Sequence, residues 1–338
     1  MKAVTYSHYG PPEVLNFTEI AKPIPKADEI LVKVRATSVN RTDCANLRAK
    51  PGIMRLTMGL LRPRKKILGT EFSGEIVEVG SSVQKFTIND KIFGFDDGGL
   101  SAYAEYLSIS EKKAIGLMPI KSDFIQMACS LEGAHYAYNF INKVPLKKGE
   151  KVLVNGGSGG IGSAMVQLLK YYAAEITAVC DTKNIQLMYD LGASKVIDYT
   201  QENFTNSTES YDYIFDCVGK SSFKSCSPLL LPGGVYISSE LGKNSINLTL
   251  ALISKFFGSV PNQTGKKVVF PYPPNKMRSL KLVKKLIEER AFTPVIDRVY
   301  PLEEIKEAFT YVEKGVKTGN VAIVLDELTE KTKRFFEN

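Results

Sequence analysis

The sequence predicts an α/β protein of two domains, in which a small β domain is interrupted by a doubly wound domain with a parallel sheet. The chain of 338 residues exceeds the usual size of a single core, and its 44% hydrophobic content can fill two. Short alternating segments separated by turns occupy the first third, whereas strands and helices alternate from about 120 to 258. The last apolar segments resemble the first third again.

The first domain is expected to be largely antiparallel, because its short segments alternate in hydrophobicity and are bounded by Gly, Pro, Asp and Ser. These predicted strands are EILVKVRATSV, GEIVEVG and DKIFGF.

The second domain is predicted to consist of parallel βαβ units with right-handed crossovers. The alternating segments are KVLVNG, IGSAMVQLLKYY, EITAVCD, NIQLMYDLG, KVIDY, YDYIFDCVG and GGVYISS. After Phe270 a helix places Leu280, Val283, Leu286 and Ile287 on one face, and the strands VIDRVYPL and GNVAIVL follow on either side of another helix. The charged end after Asp326 is predicted to be a helix or a frayed tail.

A glycine cluster between the first strand and the first helix of the second domain fits the pattern G-x-G-x-x-G. The match alone is weak, but here the strand KVLVN precedes it and an amphipathic helix follows. The first two glycines allow a turn whose backbone N–H groups approach a pyrophosphate, and the last lets the helix pack on the sheet. We therefore expect a dinucleotide site, rather than an incidental turn, formed by Gly157, Ser158, Gly159, Gly160, Ile161 and Gly162.

The choice of dinucleotide depends on the end of the second strand. Asp181 lies nineteen positions past Gly162, where a carboxylate usually binds the ribose 2′-hydroxyl of NADH. Lys183 and Tyr199 favour the 2′-phosphate of NADPH instead. We predict NADPH, with NADH as the alternative, on the expectation that Asp181 caps the helix that begins near Lys183. Thr182 is the alternative cap, and Lys183 can also be read as a solvated surface charge.

The chain resembles the zinc-free quinone oxidoreductases of the medium-chain dehydrogenase/reductase family over nearly its whole length. The stretches that carry the resemblance are YGPPEVL (9–15), EILVKVRATSVNRTD (29–43), LGTEFSGEIVEVG (68–80), VLVNGGSGGIG (152–162), LGASKVIDYT (191–200), YDYIFDCVG (211–219) and LLLPGGVYIS (229–238).

The resemblance implies a GroES-like catalytic domain over 1–121, a Rossmann domain over 122–264, and a return to the catalytic domain with a tail over 265–338. It also implies that Gly219 and Gly234 end strands on the cofactor side of the sheet, and that the chain forms a homodimer.

Zinc is not expected. Zinc-dependent members of the family bind the metal with a Cys in a CGTD-like stretch and a His in GHE, and the corresponding residues here are Asn40 and Thr70. A zinc site needs about three protein ligands. Glu71, the two histidines His8 and His135, and widely spaced cysteines cannot easily assemble one. The sequence therefore disfavours zinc-dependent alcohol oxidation.

Without a Lewis acid, quinones and α,β-unsaturated carbonyls are the suitable hydride acceptors, because conjugation carries the charge away. By resemblance, Asn40 lies beside the nicotinamide or bonds the acceptor oxygen, Asp43 orients the loop, and Tyr136 donates a hydrogen bond or a proton. Alternatives stay open: Asn40 and Asp43 can serve only a turn, and Tyr136 can be a buried helix aromatic. We interpret His135 as structural.

The segment LRAKPGIMRLTMGLLRPRKKILG mixes apolar and cationic residues. Residues 46–66 are either a flap that admits lipophilic quinones or a structural hairpin, and a weak contact with an anionic membrane surface is expected through 52–66.

The net charge of +8 leaves room for other functions. One alternative is a zinc-free alcohol or enone dehydrogenase, and another is a non-catalytic protein that binds NADPH or RNA. No basic stripe with interleaved aromatics is present in the sequence, so nucleic acid is not the expected partner. The five cysteines, an odd set with wide spacing, and the absence of a signal-peptide pattern favour the cytoplasm.

Overall fold

The computed structural model of the chain describes residues 1–272 and 275–325. The strands are β1 (Lys2–Thr5), β2 (Asn16–Glu19), β3 (Glu29–Val39), β4 (Glu71–Val79), β5 (Lys91–Phe95), β6 (Tyr106–Ser110), β7 (Ile115–Leu117), β8 (Lys151–Asn155), β9 (Glu175–Cys180), β10 (Lys195–Asp198), β11 (Tyr211–Asp216), β12 (Leu230–Ser238), β13 (Lys267–Val269), β14 (Ile296–Pro301) and β15 (Asn320–Val324). The α-helices are α1 (Arg41–Arg48), α2 (Arg55–Met58), α3 (Phe124–Ala128), α4 (Glu132–Ile141), α5 (Gly160–Tyr171), α6 (Ile185–Leu191), α7 (Phe223–Cys226), α8 (Ile246–Phe257), α9 (Lys276–Glu288) and α10 (Ile305–Glu313).

The first of two units comprises Met1–Glu132 and the described chain from Lys276 onward. Its sheet has the order β14-β15-β3-β4-β5-β7, and β6 also pairs with β3. All pairs are antiparallel except β14 with β15. The long strand β3 is the predicted EILVKVRATSV, and its pairing with β15 makes the last strands of the chain part of the sheet that the first third begins.

The second unit, Gly133–Asn275, contains a six-stranded sheet of order β10-β9-β8-β11-β12-β13 in which all pairs are parallel. Numbered from β8, this is the doubly wound order 3-2-1-4-5-6, and the strand order reverses between β8 and β11. The predicted α/β class is therefore confirmed. The carboxyl ends of these strands share one edge, where a doubly wound sheet places its ligand.

The core of the second unit lies against this sheet. Leu153, Val179, Ile214 and Tyr236, from four neighbouring strands, lie in one buried cluster with Val268 of the outermost strand. Such nearly continuous apolar strands are typical of a sheet covered on both faces.

The structure also contains a helix that the sequence did not predict, α8, between β12 and β13. The predicted domain boundaries, at 121/122 and 264/265, stay a prediction. The predicted helix or tail after Asp326 lies outside the described residues.

Candidate functional site

The glycine cluster forms the turn from β8 into α5. Gly159 is the N-cap of α5 and has no side chain to cap the helix, so the first amides of the helix are left for another acceptor. A Cβ at Gly159 would meet only the carbonyl oxygen of Gly156, at 3.6 Å. The protein itself thus leaves open the space beside Gly159, as a pyrophosphate cradle requires.

Gly162 is required for a different reason. A Cβ there would lie 2.0 Å from the carbonyl oxygen of Gly156, which is backbone and cannot move aside. Gly156 itself has a φ of +78° and is closely packed, since a Cβ would lie 2.2 Å from Cγ1 of Val218. Sequence reasoning missed Gly156, although its place directly before the motif was a usable signal.

Asp181, Lys183 and Tyr199 follow the carboxyl ends of β9 and β10. Lys183 Nζ lies 4.0 Å from Asp181 Oδ2. Partial burial and the negative charge of Asp181 raise the pKa of Tyr199. The structure therefore brings all three predicted nucleotide-selecting residues to the edge that carries the glycine turn.

The expectation that Asp181 caps the next helix is wrong. Thr182–Asn184 form a 3-10 turn whose backbone amides donate no hydrogen bond to the Asp181 side chain. Instead, Asp181 Oδ1 accepts a hydrogen bond from the side-chain amide of Asn184. Thr182 is not the cap either, because its hydroxyl donates to Asp198 Oδ2 at 2.5 Å. The backbone amide of Asn184 donates to the Asp181 carbonyl oxygen at 3.0 Å, so the Asn184 side chain rather than a turn amide bonds the Asp181 carboxylate.

The two other predicted cofactor glycines differ in position. Gly219 follows β11 at the carboxyl edge, with a φ of +65°, and its amide donates to Asp216 Oδ1 at 3.0 Å. A Cβ at Gly219 would overlap Cγ of Glu240 at 2.1 Å. The expectation that Gly234 ends a strand is wrong, because Gly234 lies inside β12, which continues to Ser238.

In the first unit, Asn40 and Asp43 form a capping box at the start of α1. Asn40 Oδ1 accepts from the amide of Asp43 at 3.0 Å, and Asp43 Oδ2 accepts from the amide of Asn40 at 3.2 Å. These two hydrogen bonds give acceptors to two backbone amides that would have none in an uncapped helix. The sequence left open that Asn40 and Asp43 serve only a turn. The capping box shows that they do have this local role, and it fixes the orientation of both side chains.

The Asn40 side chain also bonds outside the helix. Its Nδ2 donates to the Thr70 hydroxyl at 2.8 Å, and that hydroxyl donates to Asp43 Oδ2 at 3.2 Å. Asp43 is fully buried, and burial raises its pKa to about 7 despite the hydrogen bond from the Asn40 amide. Among the described residues, Asp43 Oδ1 has no hydrogen-bond partner.

Two further buried carboxylates lie near Asp43. Glu71 Oε2 accepts from the amide of Glu132 at 2.6 Å, and Glu132 Oε1 accepts from the Thr42 hydroxyl at 2.8 Å. Burial, and secondarily the charge of Glu132, raise the pKa of Glu71, and burial raises the pKa of Glu132. Conversely, burial lowers the pKa of Lys317, although Glu132 opposes this shift.

Sequence reasoning missed Thr42 and Glu132 as members of this cluster. Ninety positions separate them, and no local pattern links residues so far apart. Among the described residues, no group of three His, Cys, Asp or Glu side chains is arranged to hold a metal ion. That zinc plays no part in the reaction stays a prediction.

Tyr136 lies in α4, partly exposed, within the second unit, whereas Asn40 and Asp43 belong to the first. Its ring is edge-on to that of His135, with centroids 5.4 Å apart. His135 is fully buried, and its Nε2 is 3.2 Å from the Asn139 side-chain amide. A direct role for Tyr136 stays a prediction.

Residues 52–66 do not form a hairpin. The structure has a 3-10 turn at Gly52–Met54, the short helix α2 and bends. Tyr9 holds this segment through a hydrogen bond from its hydroxyl to the Gly59 carbonyl at 2.8 Å. Its exposed apolar side chains are Ile53, Leu56, Leu60 and Leu61.

Known proteins resemble this chain over its length. The family model described as alcohol dehydrogenase GroES-like domain matches residues 26–120, and that described as zinc-binding dehydrogenase matches residues 191–323. A chloroplastic quinone-oxidoreductase homolog of Spinacia oleracea is 30% identical over 96% of this chain and 98% of its own. A chloroplastic NADPH-dependent alkenal/one oxidoreductase of Arabidopsis thaliana is 29% identical over 96% of this chain and 79% of its own.

A solved structure of a quinone oxidoreductase also resembles this chain. The quinone oxidoreductase from Coxiella burnetii superposes with a TM-score of 0.82 at 26% identity, covering 96% of this chain and 99% of that one. The chain belongs to the medium-chain dehydrogenase/reductase family. Within that family it falls in the zinc-free, quinone oxidoreductase-like group. Among the described residues, no helix is both long enough and apolar enough to span a membrane.

Proposed function

We propose that this protein is an NADPH-dependent oxidoreductase that transfers hydride to quinones or α,β-unsaturated carbonyl compounds without zinc. The observation that carries the proposal is the 2.8 Å hydrogen bond between Asn40 and Thr70. These residues stand where zinc-dependent relatives have two metal ligands. The names of the two relatives, a quinone oxidoreductase homolog and an NADPH-dependent alkenal/one oxidoreductase, support the same reaction.

Conjugated acceptors suit the groups that this site offers. NADPH, when bound, supplies a hydride, and the accepting molecule then carries a negative charge on its oxygen. A simple ketone needs strong polarisation to accept that charge, whereas a quinone or enone delocalises it over the conjugated system. Neutral hydrogen-bond donors in a site that excludes water are sufficient for such an acceptor.

Asn40 is proposed to donate to the acceptor oxygen. A side-chain amide has two N–H groups, and Asn40 gives one of them to Thr70. Its oxygen is engaged by the amide of Asp43, so the orientation of the group is fixed before a ligand arrives. Asp43 positions Asn40 in turn, and Tyr136 is proposed as a second donor.

The glycine turn is proposed to hold the pyrophosphate, through Gly157, Ser158, Gly159, Gly160, Ile161 and Gly162. The open space beside Gly159 and the uncapped start of α5 support this role. Gly219 is proposed to lie along the cofactor at the same edge of the sheet.

Preference for NADPH is proposed to come from Lys183 and Tyr199. Lys183 lies 4.0 Å from Asp181 and so offsets a carboxylate that would otherwise repel a 2′-phosphate. A lysine can bind a phosphate as a point charge, and a tyrosine hydroxyl can donate to it. NADH remains the alternative cofactor.

The proposal is tested with a panel of quinones, enals, enones and alcohols, with cofactor absorbance followed for NADPH and NADH in parallel. We expect the quinones or the conjugated carbonyls to be reduced faster than any alcohol is oxidised. Faster turnover of an alcohol would favour a zinc-free alcohol dehydrogenase. Tight RNA binding at physiological salt, with no turnover across the panel, would favour a non-catalytic role.

Segment 52–66 is proposed to admit bulky lipophilic acceptors and to make weak contact with a membrane surface. Its exposed apolar side chains stand beside cations, among them Arg55, whose guanidinium lies 5.2 Å from the centre of the Tyr9 ring. Replacing Leu60 and Leu61 with Ser should raise KM for long-chain quinones more than for small ones.

We also propose that the protein acts in the cytoplasm. The five cysteines are free and buried, which suits a reducing compartment.

We further propose that the protein is a homodimer. The mass in solution, measured by light scattering, tests this proposal.

A further inference from the structure

The proposed reaction needs a proton as well as a hydride. A hydride brings an electron pair to the acceptor, so the oxygen of the reduced acceptor is an anion until it is protonated. Asn40, which is proposed to hold that oxygen, offers only an amide N–H, and a neutral amide is not a group that transfers protons. A further group must therefore act as the acid.

Three carboxyl groups are buried together in the first unit, those of Asp43, Glu71 and Glu132. Burial raises the pKa of all three, and the negative charge of Glu132 raises the pKa of the other two further. Ionisation of all three at once is therefore disfavoured, because each charge lacks water and repels the next. The cluster is suited to storing a proton.

The hydroxyl groups that contact these carboxyls differ in exposure. The Thr70 hydroxyl, which donates to Asp43, is fully buried and also accepts from Asn40. The Thr42 hydroxyl lies 2.8 Å from Glu132 Oε1, and Thr42 is only half-buried. A proton held by Glu132 can thus leave the interior of the unit through Thr42.

The position of Thr42 suits this role. Thr42 lies in the first turn of α1, two positions after Asn40. Its hydroxyl can donate one proton while it accepts another. The amide of Glu132 donates to Glu71 Oε2 at 2.6 Å, which fixes the backbone that carries the Glu132 side chain.

A lysine offsets the charge that Glu132 acquires when it loses its proton. Burial is the largest influence on the pKa of Glu132 and raises it, whereas the Thr42 hydroxyl and the charge of Lys317 lower it and the charge of Asp97 raises it. Lys317 is partly buried, and its ammonium also donates to the Gly319 carbonyl. Opposed influences of this kind leave an acid able both to hold a proton and to release it.

We propose that Glu132 supplies the proton of the reaction through the hydroxyl of Thr42, a role that rests on the proposed reduction of conjugated acceptors. The Thr42 O–H bond breaks as a new O–H bond forms on the reduced acceptor, and the proton of the Glu132 carboxyl moves to the Thr42 oxygen. Glu132 is left as a carboxylate and takes a proton from solvent through Thr42 once the product has left. Thr42 is the catalytic residue, and Glu132 acts through it.

A comparison of an enone with a quinone in Glu132→Gln tests this role. Gln keeps an oxygen that can accept from the Thr42 hydroxyl but has no acidic proton. The enolate of a reduced enone is a stronger base than the anion of a reduced quinone, so reduction of the enone depends more on an acid. We expect kcat for the enone to fall roughly tenfold or more, kcat for the quinone to fall much less, and KM for NADPH to stay unchanged.

Variants of Thr42 test the path independently of Glu132. Thr42→Val removes the hydroxyl at nearly constant volume and should give the same selective loss with the enone, whereas Thr42→Ser should retain the wild-type rate. The double variant of Thr42→Val with Glu132→Gln should be no slower than either single variant, because both changes interrupt one path.

Glu111→Gln is the matched control. Glu111 is a buried glutamate of the same unit, and its carboxylate accepts from the amides of Gln84 and Lys85. Its replacement should leave the ratio of the enone rate to the quinone rate unchanged. A thermal melt of each variant shows whether the fold is kept.

Infrared spectroscopy of the cofactor-free chain tests the proton itself. At about pH 6, where an ordinary glutamate is ionised, wild type should show the carbonyl stretch of a protonated carboxyl that Glu132→Gln lacks. The spectrum of Glu111→Gln should keep that band.

Three results would overturn the proposal while leaving the proposed function intact. They are equal losses with the enone and the quinone in Glu132→Gln, a Thr42→Val variant that reduces the enone as fast as wild type does, and infrared spectra of wild type and Glu132→Gln with the same protonated carboxyl bands. A wild-type chain that reduces neither acceptor would instead overturn the proposed function, and this role of Glu132 with it.

Discussion

The side-chain amide of Asn40 donates to the hydroxyl of Thr70, and that hydroxyl donates to the carboxylate of Asp43, at 2.8 and 3.2 Å. Asn40 and Thr70 are thus engaged with each other, and both also bond Asp43. The first bond orients the Thr70 hydroxyl, and the second directs that hydroxyl toward Asp43. We therefore expect these residues to position a substrate without a Lewis acid.

Chelators should leave the activity unchanged. Asn40 and Thr70 supply an amide and a hydroxyl, which are poor zinc ligands compared with Cys and His. The check is activity before and after dialysis against a strong chelator, together with metal analysis of the purified protein. Stoichiometric zinc, or loss of activity that added zinc restores, would contradict the prediction.

Gly159→Val should abolish NADPH binding while the chain stays folded. The Cβ meets only the Gly156 carbonyl oxygen at 3.6 Å, and the φ of −75° and ψ of 176° at this position suit any residue. The branched side chain would instead occupy the space proposed for the pyrophosphate. Calorimetric titration with NADPH and a thermal melt measure the two effects separately.

Gly162→Ala is the matched control for that experiment. Its Cβ would lie 2.0 Å from the Gly156 carbonyl oxygen, so the backbone must move and the melting temperature should fall. If Gly159→Val binds NADPH as wild type does, the turn is not the cradle.

Asp43 should make stability depend on pH. Burial raises its folded pKa from the usual 3.8 to about 7, so its contribution is fully present below the unfolded pKa and is lost as pH rises through about 7. A shift of this size corresponds to about 4 kcal/mol in full. Asp43→Asn, which cannot ionise, should lose less unfolding free energy than wild type between about pH 4 and 8.

Chemical denaturation at several pH values measures this difference between the two proteins. Glu71 and Glu132 also have raised pKa values, and the charge of Asp43 contributes to the shift of Glu71. Asp43→Asn therefore also lowers the pKa of Glu71, which reduces the pH dependence in the same direction. Parallel curves for the two proteins would show that Asp43 is already ionised in the folded state at low pH.

Lys183→Ala should weaken the binding of NADPH but not that of NADH, and Asp181→Ser should strengthen the binding of NADPH. A charge-assisted hydrogen bond contributes roughly 1.5–3 kcal/mol, which corresponds to at least about tenfold in kcat/KM. Asp181 is offset by Lys183 at 4.0 Å rather than by helix amides, so removal of Lys183 also exposes the 2′-phosphate to that carboxylate. A wild-type preference for NADH of tenfold or more, with Lys183→Ala neutral, would make Asp181 a ribose ligand.

The sequence predicts the sheets well because their signals are local. The predicted strand EILVKVRATSV coincides with β3, and the glycine turn lies between β8 and α5 as expected. Helix α8 was not predicted, because it mixes the two faces: Leu250 and Ala251 pack against the core, whereas Leu252 and Phe256 are exposed and Ser254 is buried. A pattern argument assumes one apolar face and one polar face.

The site was predicted where neighbouring residues define it and missed where distant ones do. Asn40 and Asp43 are three positions apart, and the capping box joins them directly. The Thr42–Glu132 hydrogen bond joins residues ninety positions apart. Asp181 shows the limit of a local rule, because Asn184 offered its carboxylate a competing partner.

Deuterium transfer from NADPH shows whether the protein reduces conjugated carbonyl compounds. The chain is incubated with an enone and NADPH that carries deuterium at the transferable position, and the saturated ketone is examined by mass spectrometry and NMR. We expect one deuterium on the former β-carbon with wild type and none with Gly159→Val. A folded, NADPH-bound wild-type protein that gives no labelled product with any enone, and oxidises NADPH with no quinone, would contradict the proposed function.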